Sequence, residues 1–383
     1  MSSSTSHHAE GRAVTLKDIA RHCQVSVATV SRALRDPDFH NADTTRRILT
    51  AATEMGYDPA HYQGARRLVL SRFGKRVVNH VIALFSPSFF YRSTFYAEIF
   101  EGIWNVLTPE GFGLLLVKAD QGDAKPLPAS FSRGDVDGVI SLTPRFVFQP
   151  LLTHLRQNTG YGIRPILTFE STYEDCSAIL IDAHTGGLLA AKHLLDLGHR
   201  HLLYFTRPDN KSFGGHQDLM LPGYQQAYAD AGLDPTRYLH AYELDTKLDQ
   251  LAFYPAHTVK LLAPEQASWT VRHPLLKLLR ATPEITGILA PNDPTALLVR
   301  QILSLGKLRV PEDYSLIGFD DTHPLFDGRG ANILTTLRVP LEKIGQAAAR
   351  LIIDRITGKL TENQSLTLPT KLIVRHSTAE PRR

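Results

Sequence analysis

Acidic and amide side chains follow three short apolar runs in the middle and C-terminal parts of the chain, and aromatic side chains lie at or after a fourth run nearer the N-terminus. Carboxylates accept hydroxyl protons and amides both donate and accept, so these residue types suit a hydroxyl-rich small molecule whose ring lies on flat aromatic faces. Core packing is the alternative for the aromatics, and an internal hydrogen-bond network is the alternative for the polar groups. The candidates are Phe85, Ser86, Tyr91, Phe95, Glu170, Asn292, Asp293 and Asp320.

A second kind of chemistry is concentrated in the first fifth of the chain. The segment from Arg12 to Arg76 holds 12 Lys and Arg against 6 Asp and Glu, a net charge of +6, although the whole chain of 383 residues carries only +4. A basic head on a nearly neutral body is typical of proteins that bind nucleic-acid phosphates. A solvated basic surface is the simpler alternative, and the pattern within the segment favours nucleic acid over it.

The sequence argues against several other functions. It contains no Gly-x-x-x-x-Gly-Lys-Ser/Thr phosphate loop, no His-Glu-x-x-His and no Gly-x-Ser-x-Gly turn. Cys23 and Cys176 are too few for a disulfide framework or a zinc site. No apolar run approaches the roughly 20 residues of a membrane span, and the start lacks the apolar core of a signal peptide. We therefore expect a cytoplasmic protein that is not an enzyme, needs no cofactor or metal and binds no membrane.

Three short helices are predicted in the basic segment. Thr15 can cap the first, with Asp18 at the capping-box position, and Ser26 can cap the second after a short connection. Two helices joined so closely pack at a steep angle, as in a helix-turn-helix. Apolar residues at spacings of three and four predict a third helix from Ala42 to Met55, which Gly56 ends.

The second helix presents small and polar side chains away from the predicted core. A helix in the major groove reads base edges with its first turns, so small residues allow close approach and Arg32 can make a bidentate contact with guanine. Thr29 and Ser31 suit phosphate contacts, which fix register. A protein-docking bundle is the alternative. The predicted DNA-binding residues of the head are Thr15, Leu16, Ser26, Val27, Ala28, Thr29, Ser31, Arg32, Arg35 and Tyr57.

These motifs resemble those of a known family. The run from Val14 to Leu34 is similar to the N-terminal signature of the LacI/GalR family of bacterial transcription regulators, and the run from Glu54 to Pro59 resembles the end of its DNA-binding headpiece. The resemblance implies a hinge helix after Pro59 that folds on DNA and pairs with the hinge of a second subunit in the minor groove. There a leucine from each subunit wedges a central base step.

The hinge departs from the family pattern. The wedge leucine is expected seven residues after the proline, where this chain has Arg66, and the nearest leucine is Leu68. Three interpretations stay open: insertion of Arg66 into a narrow minor groove, a shifted helix in which Leu68 is the wedge, and a basic linker that touches only phosphates. Arg66 and Leu68 are both predicted DNA contacts.

From Asn79 onward, short apolar runs alternate with amphipathic stretches. This alternation predicts parallel sheets covered by helices on both faces, and its length favours two lobes with ligands at the carboxyl ends of the strands. The runs Ala290–Ala296 and Leu334–Pro340 match further family signatures. The resemblance implies a periplasmic-binding-protein-like body. The predicted fold class is an N-terminal all-α helix-turn-helix head followed by an α/β core of two doubly wound parallel-sheet lobes. The expected segments are 1–12 (disordered tail), 13–59 (head), 60–77 (hinge), 78–182 with 338–362 (first lobe) and 183–337 with 363–380 (second lobe).

The resemblance also bears on the small-molecule site. In the family the Asn at position 292 and the Asp at position 320 bond sugar hydroxyls. Sugar-responsive members carry an arginine where this chain has Met220, which makes Met220 a candidate contact and puts typical hexose binding in doubt. A larger or less polar effector, a cation relocated to Arg207 or Lys211, and no effector at all are the alternatives.

The sequence therefore predicts a DNA-binding transcription regulator, with repression as the expected action. It binds a near-palindromic operator in double-stranded DNA as a homodimer, and a sugar or related metabolite between the lobes controls its operator affinity. No apolar heptads follow Leu360, which favours a dimer over a tetramer. The long stretch 240–269 is a loop over the cleft, a dimer decoration or a plain surface insertion. A ligand-independent or activating regulator with a vestigial cleft, and a cytoplasmic sugar-binding protein or enzyme with a docking head, are the alternatives.

Overall fold

The chain forms two compact units, one ending at Val77 and one beginning at Val78. Among the residues described, no helix combines the length and apolarity needed to cross a membrane. The predicted tail, the hinge and most of the stretch 240–269 lie outside the described residues. The computed structural model describes residues 14–34, 42–57, 78–87, 93–119, 127–132, 134–157, 165–170, 172–206, 216–243 and 273–382.

The first unit contains three helices around one core. Ile19, Val30 and Ile48, one from each helix, are fully buried. In the third helix Leu49 is 39% exposed, whereas Ala51 is buried beside Ile48, because a step of three from Ile48 stays on the same helix face and a step of one does not. The helices are α1 (Leu16–His22), α2 (Val27–Ala33) and α3 (Ala42–Glu54).

Local hydrogen bonds fix the ends of these helices, as predicted. The backbone N–H of Thr15 donates to Asp18 Oδ2 at 2.9 Å and the N–H of Asp18 donates to Thr15 Oγ1 at 3.2 Å, which completes the capping box. Ser26 Oγ accepts the N–H of Thr29 at 3.0 Å. After α3, Gly56 has a φ of +69°, a conformation that glycine adopts without strain.

The second unit contains two six-stranded sheets, as expected for two doubly wound lobes. The lobe 1 sheet consists of β1 (Val81–Ser86), β2 (Gly113–Lys118), β3 (Gly138–Ser141), β4 (Ile166–Phe169), β5 (Ser177–Asp182) and β11 (Ser365–Pro369). The lobe 2 sheet consists of β6 (His201–Thr206), β7 (Leu239–Glu243), β8 (Ile285–Leu289), β9 (Ser315–Asp320), β10 (Thr335–Arg338) and β12 (Lys371–Ile373).

The strand orders are β11-β5-β4-β3-β1-β2 in lobe 1 and β12-β10-β9-β8-β6-β7 in lobe 2. Neighbouring strands are parallel, apart from β12, which runs antiparallel to β10. Because parallel strands of one sheet point the same way, the polar residues that follow them gather at one edge of each lobe.

Helices cover the faces of both sheets, and each lobe has one very close helix crossing. A Cβ atom on Gly102 of lobe 1 would overlap the carbonyl oxygen of Glu342, and one on Gly223 of lobe 2 would overlap that of His184. Lobe 1 has α4 (Thr94–Leu107), α5 (Ala129–Ser132), α6 (Arg145–Gln157) and α12 (Leu341–Thr357). Lobe 2 has α7 (Ala183–Asp196), α8 (His216–Asp230), α9 (Pro235–Tyr238), α10 (Pro274–Ala281) and α11 (Asp293–Leu305).

Among the described residues, the chain crosses between the lobes at three places: between β5 and α7, between β10 and α12, and between β11 and β12. The predicted boundary at residue 363 is wrong, because β11 pairs with β5 in the lobe 1 sheet and the chain enters lobe 2 only after Pro369. Thr370 Oγ1 donates to the carbonyl oxygen of Asp182 at 3.1 Å and so ties two of the crossings together.

Candidate DNA-reading helix and effector cleft

The first candidate surface is the solvent side of α2. Val30 and Ala33 are buried and attach this helix to the core of the head. The Nη2 group of Arg47 on α3 donates to the carbonyl oxygen of Cys23 at 2.9 Å, which holds the turn between α1 and α2. The opposite side of α2 carries the predicted contacts, all of them exposed or half-buried: Val27, Ala28, Thr29, Ser31 and Arg32.

The other predicted DNA contacts of the head surround α2. The hydroxyls of Ser26 and Thr29 lie 2.8 Å apart, so both serve the helix start as well as facing solvent. Leu16 and Tyr57 are half-buried against the core, and Thr15 is half-buried in its capping box. Three further predicted contacts lie outside the described residues: Arg35, Arg66 and Leu68.

The second candidate site lies where the carboxyl ends of the two sheets meet. Glu170 follows β4 in lobe 1, Asp320 ends β9 in lobe 2, and Asn292 precedes α11. Glu170 has a φ of 54° and Asp320 a φ of 101°. Side chains other than glycine adopt these angles at an energetic cost, and such residues cluster at ligand sites.

Asp320 is buried among other acids. It is 7% exposed, and its Oδ1 atom receives no hydrogen bond from any residue that the structure describes. Burial raises the pKa of Asp320 well above its ordinary value, and the charges of Asp293, Glu170 and Glu98 raise that pKa further. Glu170 and Glu98 belong to lobe 1, so acids from both lobes converge on this side chain. A carboxyl group in this position needs a proton or an external partner.

Aromatic side chains of lobe 1 adjoin these acids. Burial raises the pKa of Tyr96, and the charges of Glu170 and Asp320 add to this effect, so the Tyr96 hydroxyl keeps its proton. The Phe95 ring centroid lies 5.2 Å from that of Tyr96 and 6.0 Å from that of Phe169. Phe95 is a predicted site residue, whereas Tyr96 and Phe169 are not among the predicted residues; their positions next to Phe95 and Glu170 in the sequence are the available signal.

Asp293 holds the loop that follows β9. Its Oδ2 atom accepts the N–H of Thr322 at 2.7 Å and the N–H of His323 at 3.2 Å, and its Oδ1 atom accepts the hydroxyl of Thr336 at 2.6 Å. Burial raises the pKa of Asp293 to about 7, although these three hydrogen bonds act to lower it. Because both carboxylate oxygens are used inside the protein, we correct the predicted direct effector contact of Asp293 to a positioning role beside Asp320.

Asn292 combines a structural task with a place at the cleft edge. Its Oδ1 atom accepts the N–H of Thr295 at 2.8 Å and caps α11. This cap uses only the carbonyl of the side-chain amide, so its two N–H donors are not consumed by the cap. Asn292 is buried. Effector binding by Asn292 stays a prediction, now with N–H donation as its expected chemistry.

Asp321 differs sharply from the adjacent Asp320. Its Oδ1 atom lies 2.8 Å from Arg375 Nη1, and its Oδ2 atom lies 2.6 Å from Arg338 Nη2. Arg338 ends β10 just before the chain crosses to lobe 1, and Arg375 follows β12 just after the chain returns to lobe 2. Neither arginine is among the residues predicted from the sequence, because they lie 17 and 54 residues away from Asp321 and leave no local signal.

Phe85 does not belong to the cleft, so its predicted effector contact is wrong. It is fully buried, with its ring centroid 6.0 Å from that of Phe148. Successive strand residues face opposite sides of the sheet, and Phe85 lies in a different core cluster from Leu84. Ser86 is buried at the end of β1 and stays a predicted contact. Tyr91 lies outside the described residues.

Met220 packs within the contact between α7 and α8. It is 3% exposed, and its sulfur lies 3.6 Å from the hydroxyl of Tyr224. A Cβ atom on Gly187 would overlap the backbone carbonyl oxygen of Met220, which shows how closely the two helices approach. The thioether brings no charge to this position. Packing between the two helices is therefore an alternative role for Met220, and its contact with an effector stays a prediction. Arg207 and Lys211 lie outside the described residues.

Comparison with known proteins agrees with this arrangement. The family model for bacterial regulatory proteins of the lacI family matches residues 15–60, and the model for a periplasmic binding protein-like domain matches residues 191–378. The HTH-type transcriptional regulator CelR of Thermobifida fusca is 29% identical over 369 residues, which are 96% of this chain and 98% of CelR. The chain belongs to the LacI family.

Two further comparisons support membership of the LacI family. The HTH-type transcriptional repressor PurR of Edwardsiella ictaluri (strain 93-146) is 26% identical over 373 residues, covering 96% of this chain and 97% of PurR. A solved structure of a transcriptional regulator CelR–cellobiose complex has a TM-score of 0.56 and 25% identity, covering 95% of this chain and 99% of that chain. As a LacI-family member, the protein is a DNA-binding transcription regulator.

The two matched LacI-family segments contain the two candidate sites. The head match begins at Thr15, the cap of α1, and includes all of α2. The body match includes Asn292 and Asp320. The acids and aromatics that lobe 1 contributes, among them Tyr96 and Glu170, precede the matched range, so their assignment to the site depends on the structure.

Proposed function

We propose that this LacI-family protein is an effector-responsive repressor that binds a near-palindromic operator as a homodimer. Its head reads the major groove with α2, and Arg32 is the base-reading side chain. A sugar or related hydroxyl-rich metabolite binds between the lobes and favours one of two lobe arrangements. Operator affinity changes because the two arrangements differ in their affinity for DNA. The protein works in the cytoplasm, where operator and metabolite are both present.

The solvent face of α2 is the observation that carries the proposal. Its small side chains leave room for close approach to base edges, and Arg32 at its last turn is exposed. The hydrogen bond from Arg47 to Cys23 holds the turn that sets the angle of α2. The name of PurR, a transcriptional repressor, supports repression over activation.

The acids at the strand ends support the effector part of the proposal. Asp320 has an oxygen with no hydrogen bond from the described residues, and Glu170 acts on it from the other lobe. A molecule bound between them would contact both lobes and so bias their arrangement. The CelR structure, which holds cellobiose, supports a sugar or related compound as the class of effector.

Selection of binding sites from random-sequence duplexes by the full chain tests the DNA part. We expect the selected duplexes to share two inverted half-sites, bound at least about a thousandfold more tightly than scrambled DNA. Affinity should fall steeply with salt, because phosphate contacts release counterions. Enrichment of a single, unrepeated half-site would contradict the homodimer, and no enriched sequence would contradict operator recognition.

A ligand screen on the same operator complex tests the effector part. Sugars, sugar acids and purines are added while operator affinity is measured, and we expect at least one compound to change that affinity. Binding to the operator that no compound alters would favour the ligand-independent regulator with a vestigial cleft. A protein that binds a sugar but no DNA would favour the docking-head alternative.

A further inference from the structure

The chain enters lobe 1 just before β1, and a buried carboxylate holds its first residues. Asp137 directly precedes β3 and is 1% exposed. Its Oδ2 atom accepts the backbone N–H of Asn79 at 2.8 Å and that of Val81 at 3.1 Å, and its Oδ1 atom accepts the side-chain Nδ2 group of Asn79 at 3.1 Å. The backbone N–H of Asp137 donates in turn to the carbonyl oxygen of Val81 at 2.8 Å. One residue thus fixes both ends of the entering segment.

Two further hydrogen bonds attach the entering segment to its surroundings in lobe 1. Asn79 Nδ2 donates to the carbonyl oxygen of Gly134 at 3.2 Å, and the backbone N–H of Gly113, the first residue of β2, donates to the carbonyl oxygen of His80 at 2.7 Å. His80 has a φ of 61°, which costs energy for a residue with a side chain. The surrounding hydrogen bonds therefore hold the chain in a turn that is unfavourable by itself.

Lobe 2 shows that this kind of sheet does not require a buried acid at the corresponding place. The strand β6 pairs with β8 in lobe 2 as β1 pairs with β3 in lobe 1. The residue before β8 is Glu284, which is exposed, and the chain that enters β6 comes from α7 of the same lobe. The chain that enters β1 comes instead from the linker, the segment between the head and lobe 1. Because a buried carboxylate is costly unless its oxygens are satisfied, its presence at the linker entrance points to a task beyond sheet formation.

We propose that Asp137 is a positioning residue for DNA binding, because it fixes the point at which the linker joins lobe 1. This inference rests on the proposed function, in which a homodimer binds two inverted half-sites. Each head of the dimer is connected to its body through Asn79, so freedom at Asn79 widens the range of half-site spacings that the two heads reach. Asp137 therefore restricts the dimer to operators of one spacing.

The lengths involved are large enough for this restriction to matter. Release of Asn79 and His80 from lobe 1 would add up to about 7 Å of extended chain to the linker of each subunit. One base pair changes the separation of two half-sites by about 3.4 Å and also rotates one half-site around the duplex. An anchored linker therefore distinguishes operators that differ by one base pair in spacing better than a released linker does.

Fluorescence anisotropy with a series of operators tests the proposal on the full chain. The duplexes carry the same two half-sites, taken from the site selection, at the selected spacing and at spacings one base pair shorter and one base pair longer. For the unchanged protein we expect each change of spacing to lower the affinity by at least about tenfold. The ratio of these affinities is the decisive quantity, because a loss of folded protein lowers the affinity for all three operators by the same factor.

Two variants release the anchor to different extents. Asp137→Asn places N–H donors where a carboxylate oxygen accepts one, and we expect it to reduce the spacing penalty by at least about threefold. Asn79→Ala removes the two side-chain hydrogen bonds of half-buried Asn79 and keeps those of its backbone, so it disturbs the fold less and should reduce the penalty by a smaller factor. Ile140→Val is the control, because it shortens a fully buried side chain on β3 and weakens lobe 1 without removing a hydrogen bond of the anchor; it should leave the penalty unchanged.

The outcomes separate this inference from the proposed function. Spacing penalties that are equal in the unchanged protein and in both anchor variants would overturn the positioning role and leave a sequence-specific dimer intact. A penalty that falls just as far in Ile140→Val would also overturn it, because the stability of lobe 1 would then explain the result, and so would an unchanged protein that tolerates every spacing. If no duplex with two half-sites is bound, both the inference and the DNA part of the proposed function are wrong.

Discussion

The head and the cleft satisfy their polar side chains in opposite ways. In the head, Thr15 bonds Asp18 and Ser26 bonds Thr29, each three residues along the chain. In the cleft, Asp320 is surrounded by acids from distant parts of the sequence, two of them from the other lobe. The capping groups of the head are therefore satisfied by near neighbours in the chain, whereas one carboxylate oxygen of Asp320 in the cleft has no hydrogen-bond donor among the described residues.

The same contrast holds between two adjacent residues. Asp321 is bound by two arginines, whereas the described charged groups that act on Asp320 are all acids, and one oxygen of Asp320 has no donor among the described residues. A buried charge with good partners stabilises its fold only as long as the partners are present, and a buried charge without them costs stability. We expect Asp321 to support the fold and Asp320 to reduce its stability in favour of binding.

Removal of the charge at Asp321 should have the largest effect. Asp321→Asn leaves Arg338 and Arg375 without their counter-ion, and we expect a loss of about 2 to 3 kcal/mol in unfolding free energy, below the range for a fully buried pair because Arg338 is half-exposed. Urea denaturation of the full chain measures it. A loss of unfolding free energy no greater than that of the exposed control Asp230→Asn would show that the ion pairs of the two arginines with Asp321 contribute little to stability.

Truncation of Arg32 should have the next largest effect, and on DNA rather than on stability. Loss of one bidentate base contact should weaken operator binding by about 1 to 3 kcal/mol and relax sequence preference at one base pair. Fluorescence anisotropy with a set of single-base operator variants measures both. Arg46→Ala on α3, an exposed arginine paired with Asp43, is the control. Equal weakening on every sequence would make Arg32 a phosphate contact instead.

The cap of α2 should matter by a smaller amount. Ser26→Ala removes the acceptor for the N–H of Thr29 and should cost the head about 1 kcal/mol. Hydrogen exchange of the α2 amides in the full chain measures this loss. Ser26→Asp keeps a capping oxygen and should restore the protection, while unchanged exchange in Ser26→Ala would show that packing alone holds the helix.

The last prediction concerns the gradual change of stability with pH that the raised pKa of Asp320 causes. Burial, and then the acids around it, raise the pKa of Asp320 in the folded state, so the folded protein binds more protons than the unfolded chain. Unfolding free energy should therefore fall as pH rises above the ordinary pKa of aspartate, by at most about 1.4 kcal/mol per pH unit. The difference between Asp320→Asn and the unchanged protein isolates this effect and should grow in favour of the variant as pH rises. A constant difference would contradict the raised pKa.

Local chemistry explains which features could be predicted from the sequence. The capping box at Thr15, the helix stop at Gly56 and the acids after the strands depend on residues close together in the chain, and the structure has all of these features. Hydrophobic periodicity also indicated the two parallel sheets, because strands buried on both faces leave continuous apolar runs.

Long-range packing explains the errors. The prediction that Phe85 lies in the cleft was wrong, because no local sequence signal indicates which face of the sheet a side chain on a buried strand occupies. The arginines that bind Asp321 lie on other strands, so their role depends on the crossings between the lobes. The strand β11 pairs with β5 from nearly 190 residues away, which is why the lobe boundary was misplaced.

A mobility shift with the full chain on the DNA upstream of its own gene tests the central claim most directly, with a scrambled duplex of the same composition as competitor. We predict a complex that the scrambled duplex does not compete away, that weakens steeply with salt, and that survives with much lower affinity in Arg32→Ala. Equal competition by the scrambled duplex at every salt concentration would contradict a regulator that recognises its operator through α2.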